Sequence, residues 1–212
     1  MHETPIRTSL GLLALTAFLS VATACSSTKG SASSNAEYGV WTEPTADLAR
    51  QIEQRAMRVS VIASPSEFVE LSDWFQTIGE PAYPRLLEMV EIGDMRQRSF
   101  ALSVISALRD RRLVAPLKAV MPEKALEIQT HRYEYARALA TMGDYEMLPA
   151  LIDGLQDDDH FLRALANQTL REVTNNDVPY EATAPREERQ IAVEAWKSWY
   201  QTQQEDALLQ RD

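Results

Sequence analysis

The segment Phe100 to Leu117 (FALSVISALRDRRLVAPL) and the segment Glu134 to Leu151 (EYARALATMGDYEMLPAL) run through the same order of apolar, turn and proline residues, 34 positions apart. Ile105 falls on Leu139, Leu108 on Met142, Asp110 on Asp144, Leu113 on Met147 and Leu117 on Leu151. An earlier copy aligns at an offset of 30, with Leu71, Phe75, Ile78, Glu80, Tyr83 and Leu87 over Ala101, Ile105, Leu108, Asp110, Leu113 and Leu117. A later copy aligns at 31, with Arg163, Ala166, Leu170 and Val173 following Arg132, Tyr135, Leu139 and Met142. Arg98 fills the arginine slot of the second copy, and Phe68 stands there in the first. A repeat of this length constrains the fold more than any short motif. Each copy is one supersecondary unit, too small to bury its own apolar face, so neighbouring copies must pack on one another.

Within each copy a first helix is expected from apolar residues at helical spacing, such as 101, 104, 105 and 108. A polar break follows at Gly79-Glu80, Asp110 or Gly143-Asp144. Glycine suits the left-handed end of a helix, and aspartate suits the turn or the next N-cap. A second helix then starts near Pro84, Pro116 or Pro149, because proline is tolerated in a first turn. Its apolar positions are Leu86, Leu87 and Val90; Leu117, Val120 and Met121; and Leu148, Leu151, Ile152 and Leu155. Only seven glycines in 212 residues also favour helices over a strand-and-turn fold.

The units HRYEYARALATMGDYEMLPALIDGL and HFLRALANQTLREVTNND resemble the HEAT repeat family. The third copy matches the family's order at Arg132, Ala138, Leu139, Met142, Gly143 and Asp144, with Tyr135 where alanine is usual. The fourth matches at Leu162, Arg163, Ala166, Leu170 and Val173, with Thr169 replacing an alanine. The resemblance covers about Glu67 to Thr174. It implies an all-α fold, a short right-handed α-solenoid of about four HEAT-like helix pairs with helical caps. The fourth unit then departs: its break is TNNDVPYEATAPREERQ, and its second helix is expected over Pro185–Gln201. That helix places Ala192, Ala195, Trp196, Trp199 and Tyr200 on or near one face, which suits a cap over the last repeat or, as the alternative, a ligand or partner surface. A helix over Thr45–Ala63, striped by Leu48, Ile52, Ala56 and Val59, caps the other end.

The N-terminus reads as a secretory signal. Arg7 is followed by the apolar run Leu10 to Val21, then by Ala22, Thr23, Ala24 and the single cysteine, Cys25. This layout resembles a bacterial lipoprotein signal, with Ala22 where the family usually has leucine. The resemblance implies cleavage before Cys25 and lipidation of its sulfur. By the same resemblance, Ser26 in place of an inner-membrane retention aspartate implies an outer-membrane location facing the periplasm. Three other readings stay open: a plain secretory signal cut near Ala24, an uncleaved anchor, and a buried cytosolic helix. An anchor would have the 17 residues between Arg7 and Cys25, at the lower edge of a span of roughly 17–25 residues. The expected organisation is a signal peptide at 1–24, lipidated Cys25 and a Ser-rich linker at 25–44, the repeat domain at 45–203 and a tail at 204–212.

A net charge of −10 argues against a nucleic-acid partner, whose phosphates need neutralising. One cysteine allows no internal disulfide and no cysteine-based metal cluster. His131 and His160 fall near equivalent unit starts, and no HExxH or Gly-rich phosphate loop accompanies them. Asp157, Asp158 and Asp159 read as a turn and helix start, or else as a weak calcium loop without its spacing. Arg109, Arg111 and Arg112 form a small basic patch at a turn, either solvated or gripping an acidic partner. No catalytic residue, cofactor, metal ion or small-molecule substrate is expected. The expected function is a membrane-tethered scaffold or adaptor that binds protein in the bacterial envelope, through exposed positions of 84–92, 115–121 and 149–156 on the concave side that the resemblance implies. The alternatives are an accessory subunit or lyase- or chaperone-like HEAT protein assisting an envelope enzyme, and a structural lipoprotein without a specific partner.

Overall fold

A computed structural model describes residues 40–209. The expected signal peptide, Cys25 and the linker up to residue 39 lie outside the described residues, as do positions 210–212. All regular secondary structure among the described residues is helical. The helices are α1 (Ala46–Val59), α2 (Pro65–Ile78), α3 (Tyr83–Glu91), α4 (Met95–Leu108) and α5 (Val114–Val120), followed by α6 (Glu123–Leu126), α7 (Gln129–Thr141), α8 (Leu148–Gly154), α9 (His160–Thr174) and α10 (Arg186–Leu209). Short 3-10 turns at Glu80–Ala82 and Arg111–Leu113 lead into α3 and α5.

Side-chain caps start several of these helices, because the first amides of a helix have no partner within it. Thr45 accepts from the Leu48 amide at 3.3 Å, and Ser64 from Glu67 at 3.2 Å with Pro65 as the first helical residue. Asp94 and Gln97 form a reciprocal capping box at α4. Asp159 accepts from the Phe161 amide at 2.8 Å and starts α9.

Three boundaries differ from the sequence expectation. α1 stops at Val59 rather than Ala63, since Pro65 and its cap Ser64 open a new helix just beyond. α6 is an extra turn of helix between the second and third copies. Met121 is held extended ahead of Pro122, which ends α5. The added residues explain why this one offset is 34 where the others are 30 and 31. α10 runs over Arg186–Leu209, past Gln201 where the last helix was expected to end.

The first helices of the four copies are neighbours in chain order: α2 packs on α4, α4 on α7, and α7 on α9. Along the α4–α7 seam the contacts keep a sequence separation of 35 or 36. His131 Nε2 lies 3.4 Å from the Met95 carbonyl, the Ser99 hydroxyl donates to Glu134 at 2.8 Å, and the Ser106 and Thr141 hydroxyls meet at 3.2 Å. Contacts that advance together along both chains place α4 and α7 parallel and in register. On the other side α3 packs on α4 and α5, and α8 on α7, α9 and α10.

All ten apolar positions expected on the second helices are buried. The core falls into two clusters that meet at α7. Tyr135, Ala138, Leu139 and Met142 face the cluster built on α1 to α6, and Tyr133, Ala136 and Ala140 face the cluster with α8 to α10.

The arginine slot has a structural use. Arg98 donates to the carbonyls of Val90, Glu91 and Gly93, where α3 ends. Arg163 donates to the carbonyls of Asp157 and Asp158 just after α8, and to Ala182. Arg98 thus satisfies orphan carbonyls at the end of the preceding second helix, and Arg163 gathers carbonyls of the turn just beyond it, a pairing the planar fork suits.

Candidate functional site

Each break between first and second helices carries a residue of positive φ, in the left-handed helical region at Arg109 and Asn175 but not at Gly79, whose ψ is −131°. Gly79, Arg109, Gly143 and Asn175 end α2, α4, α7 and α9 with φ of 65°, 52°, 85° and 52°. Glycine and asparagine visit this region readily, and arginine does so at a cost. By the offsets of 30 and 34, Arg109 occupies the position of Gly79 and Gly143.

An acidic residue follows each of the first three breaks and is tied down. Arg112 bridges Glu80 and Asp110, and Asp110 also accepts from the Tyr83 hydroxyl at 3.1 Å. The Arg112 bonds hold the Asp110 carboxyl below the usual range despite partial burial. Burial, reinforced by the Asp110 charge, pushes Tyr83 up to about 12. Lys118 reaches both Asp144 at 2.7 Å and Glu146 at 2.5 Å. Burial raises the Asp144 carboxyl, but the bonds from Lys118 and the Glu146 amide outweigh it and leave it lowered. These groups serve as ties between successive copies.

Two adjoining clefts open on this edge. The first, of about 530 Å³, is lined by Arg109 and Arg111 on one side and by Tyr145, Glu172 and Val173 on the other, with the α7 end at its floor. The second, of about 480 Å³, is lined by Leu148, Val173, Trp199 and Tyr200 together with Tyr145 and Glu146. Tyr145 and Val173 belong to both, and the Tyr145 hydroxyl donates to the Val173 carbonyl at 3.4 Å. Tyr145 is 43% exposed, so its ring forms the ridge between a polar and an apolar compartment.

The charges in the first compartment are unevenly satisfied. Glu172 pairs with Arg137 at 3.5 Å, and Arg112 is committed to its two carboxylates. Among the described residues, neither Arg109 nor Arg111 has a carboxylate at ion-pair distance, and both are exposed. A Cβ placed on Gly143 would lie 3.7 Å from Arg111 Nε, in ordinary contact. The compartment therefore presents guanidinium donors without protein acceptors beside aromatic and aliphatic faces. That set is suited to binding a partly apolar anion.

The residues singled out from sequence divide as follows. Of the arginine patch, Arg112 is structural, and Arg109 and Arg111 line the first cleft. Of the aromatic cluster, Trp196 is fully buried, with Ala192, as part of the cap, whereas Trp199 and Tyr200 are half-buried and line the second cleft. Asp157 is buried and accepts from the Tyr133 hydroxyl at 2.9 Å, while Asp159 caps α9, so the acidic run is a turn and helix start. His131 is buried, and its Nδ1 has no partner among the described residues. His160 lies on the Phe161 ring at 4.1 Å.

Among the described residues, no group of three or more His, Cys, Asp or Glu is placed to hold a metal ion. None of their helices is long and apolar enough to cross a membrane. Of the second-helix stretches 84–92, 115–121 and 149–156, Arg85 and Lys118 are held in ion pairs, while Ile92 stands 72% exposed. The sequence did not single out Tyr145 or Glu172, and it marked Val173 as a repeat position only. The available signal was an aromatic directly after Gly143-Asp144, in a break otherwise short of large residues. No family model, curated protein or solved structure matches the chain.

Proposed function

We propose that the chain is a lipid-anchored HEAT-like repeat protein that binds another protein in the bacterial envelope. In this reading its helix pairs form a short α-solenoid, and Cys25, lipidated after removal of residues 1–24, tethers it through the Ser-rich linker to the outer membrane, facing the periplasm. The carrying observation is the agreement between two independent periodicities. The sequence offset of 34 between the second and third copies agrees to within one residue with the spatial register of α4 and α7, where Ser106 meets Thr141 and Ser99 meets Glu134, each 35 positions apart. Stacked helix pairs expose edges and grooves extending over several units, and such surfaces commonly serve recognition. Two or three acyl chains on Cys25 would give stable attachment where one does not, at about 0.8 kcal/mol per buried methylene.

Crosslinking in cells, affinity capture of the full chain from envelope fractions and mass spectrometry of its N-terminus test both parts at once. The expected result is an acylated N-terminal Cys25 and a reproducible protein partner. Cys25→Ser should remove the lipid and release the chain from the membrane. An unmodified N-terminus with Met1 retained would overturn the tether. A chain that crosslinks to no protein would overturn the scaffold reading.

A further inference from the structure

We infer that the paired clefts bind an acidic peptide segment, with a carboxylate taken by Arg109 and Arg111 and an adjacent apolar side chain seated against Leu148, Val173, Trp199 and Tyr200. This deepens the protein-binding reading by naming the chemistry of the partner, and it rests on that reading.

Three observations converge. The first is charge. In a chain of net charge −10, two exposed arginines line one cleft with no carboxylate at ion-pair distance among the described residues, while Arg112, directly after Arg111, is saturated. The second is conformation. The left-handed position that ends the first helix holds glycine in the first and third copies and asparagine in the fourth, yet Arg109 in the second. Strained non-glycine residues in this region persist where their side chain has a use. The Arg109 side chain lines the cleft and makes no ion pair or side-chain hydrogen bond among the described residues. The third is the adjoining compartment, where half-buried rings of Trp199 and Tyr200 flank Leu148 and Val173. Aromatic faces beside arginine are a recurrent makeup of peptide-binding sites.

The same walls disfavour other anions. Glu172 lines the first compartment and Glu146 the second, so a phosphate dianion or a polyanion would meet like charge that a single carboxylate can avoid. A nucleic acid or an anionic lipid surface also leaves the apolar compartment unused.

The test uses the full chain in detergent and two fluorescein-labelled octapeptides, one carrying a glutamate next to leucine and phenylalanine, the other identical with glutamine for glutamate. Fluorescence anisotropy should show the glutamate peptide binding about tenfold or more tightly, the worth of a charge-assisted hydrogen-bonded pair. Arg109→Glu and Arg111→Glu should each abolish that preference, and Trp199→Ala should weaken both peptides alike. Arg109→Gly separates binding from folding: it should lose the preference while its melting temperature stays level or rises by up to about 3 °C, as strain is relieved. Equal affinity for the two peptides, no binding of either, or binding untouched by the arginine variants would overturn the inference. Preferential binding of inorganic phosphate or of phosphatidylglycerol vesicles would overturn the choice of a peptide. If the arginine variants still crosslink to the wild-type partner in cells, this site falls and the scaffold reading survives. If the wild-type chain crosslinks to none, that reading falls on its own.

Discussion

At the scale of single residues, two buried polar groups set testable costs. His131 sits between α4 and α7 at 1% exposure, and burial, aided by the Arg98 charge, lowers its pKa from the ordinary 6.5. The folded state therefore resists a proton that the unfolded chain accepts. The contribution to stability is intact above about pH 6.5 and is lost as pH falls below it, by at most about 1.4 kcal/mol per pH unit. Glu134 works in the opposite sense, since burial raises its carboxyl, so the informative comparison is between chains that differ at position 131 alone. His131→Gln should lose less of its melting temperature than the unaltered chain between about pH 7.5 and about pH 5.5, a range set by this linkage. Parallel losses in the two chains would contradict the assignment. Arg163, at 9% exposure, gathers three carbonyls that no other group satisfies equally well. Arg163→Ala should cost about 1–3 kcal/mol in urea denaturation, the range for stranding a buried hydrogen-bonding group. Arg163→Lys should recover less than half of that, because one ammonium cannot reproduce the fork.

At the scale of elements, α7 is the piece on which the two core clusters depend. It reads weakly as an amphipathic helix because it is buried on two faces, and its small residues Ala136, Ala138 and Ala140 allow close approach from both sides. Ala136→Leu adds volume where exposure is 0%, and it should destabilise by about 1–3 kcal/mol through overpacking. Hydrogen exchange should show the loss in α8 and α9 as well as in α7, and an effect confined to α7 would contradict this coupling. The first and second helices were legible in the sequence because their burial pattern follows helical period and their breaks carry glycine, aspartate or proline. α6 and the end of α10 were not. α6 is a single turn set by Met121 and Pro122, too short to show a period, and the residues after Gln201 carry no stop signal of glycine or proline. The cleft was only half legible. Arg109 and Arg111 stood out as a basic patch, but the sequence does not reveal that Arg112 beside them is consumed by Glu80, which stands 32 positions earlier. Trp196 and Trp199 are three residues apart on one helix, and only packing separates the one that is a core residue from the one that lines a surface.

At the scale of the whole molecule, the account depends on like helices lying side by side in the order of the chain. Parallel register explains several features together: Arg98 and Arg163 bonded at or just beyond the end of the preceding second helix, Glu80 and Asp144 each bridged to a neighbouring unit, and positive-φ breaks at the edge where the clefts open. It also makes the proposed partner site a property of the assembly, because Arg109 and Arg111 follow α4, Tyr145 follows α7 and Trp199 lies on α10. The most direct test is oxidative crosslinking of full-length chains carrying Ser106→Cys with Thr141→Cys, compared with Ser99→Cys with Thr141→Cys. The two hydroxyls of the first pair stand 3.2 Å apart, whereas Ser99 bonds instead to Glu134, two turns earlier on α7. The account predicts a disulfide between 106 and 141, mapped by peptide mass spectrometry, with the native melting temperature retained, and little or none between 99 and 141. Efficient crosslinking of the second pair, or none of the first in the folded chain, would contradict it.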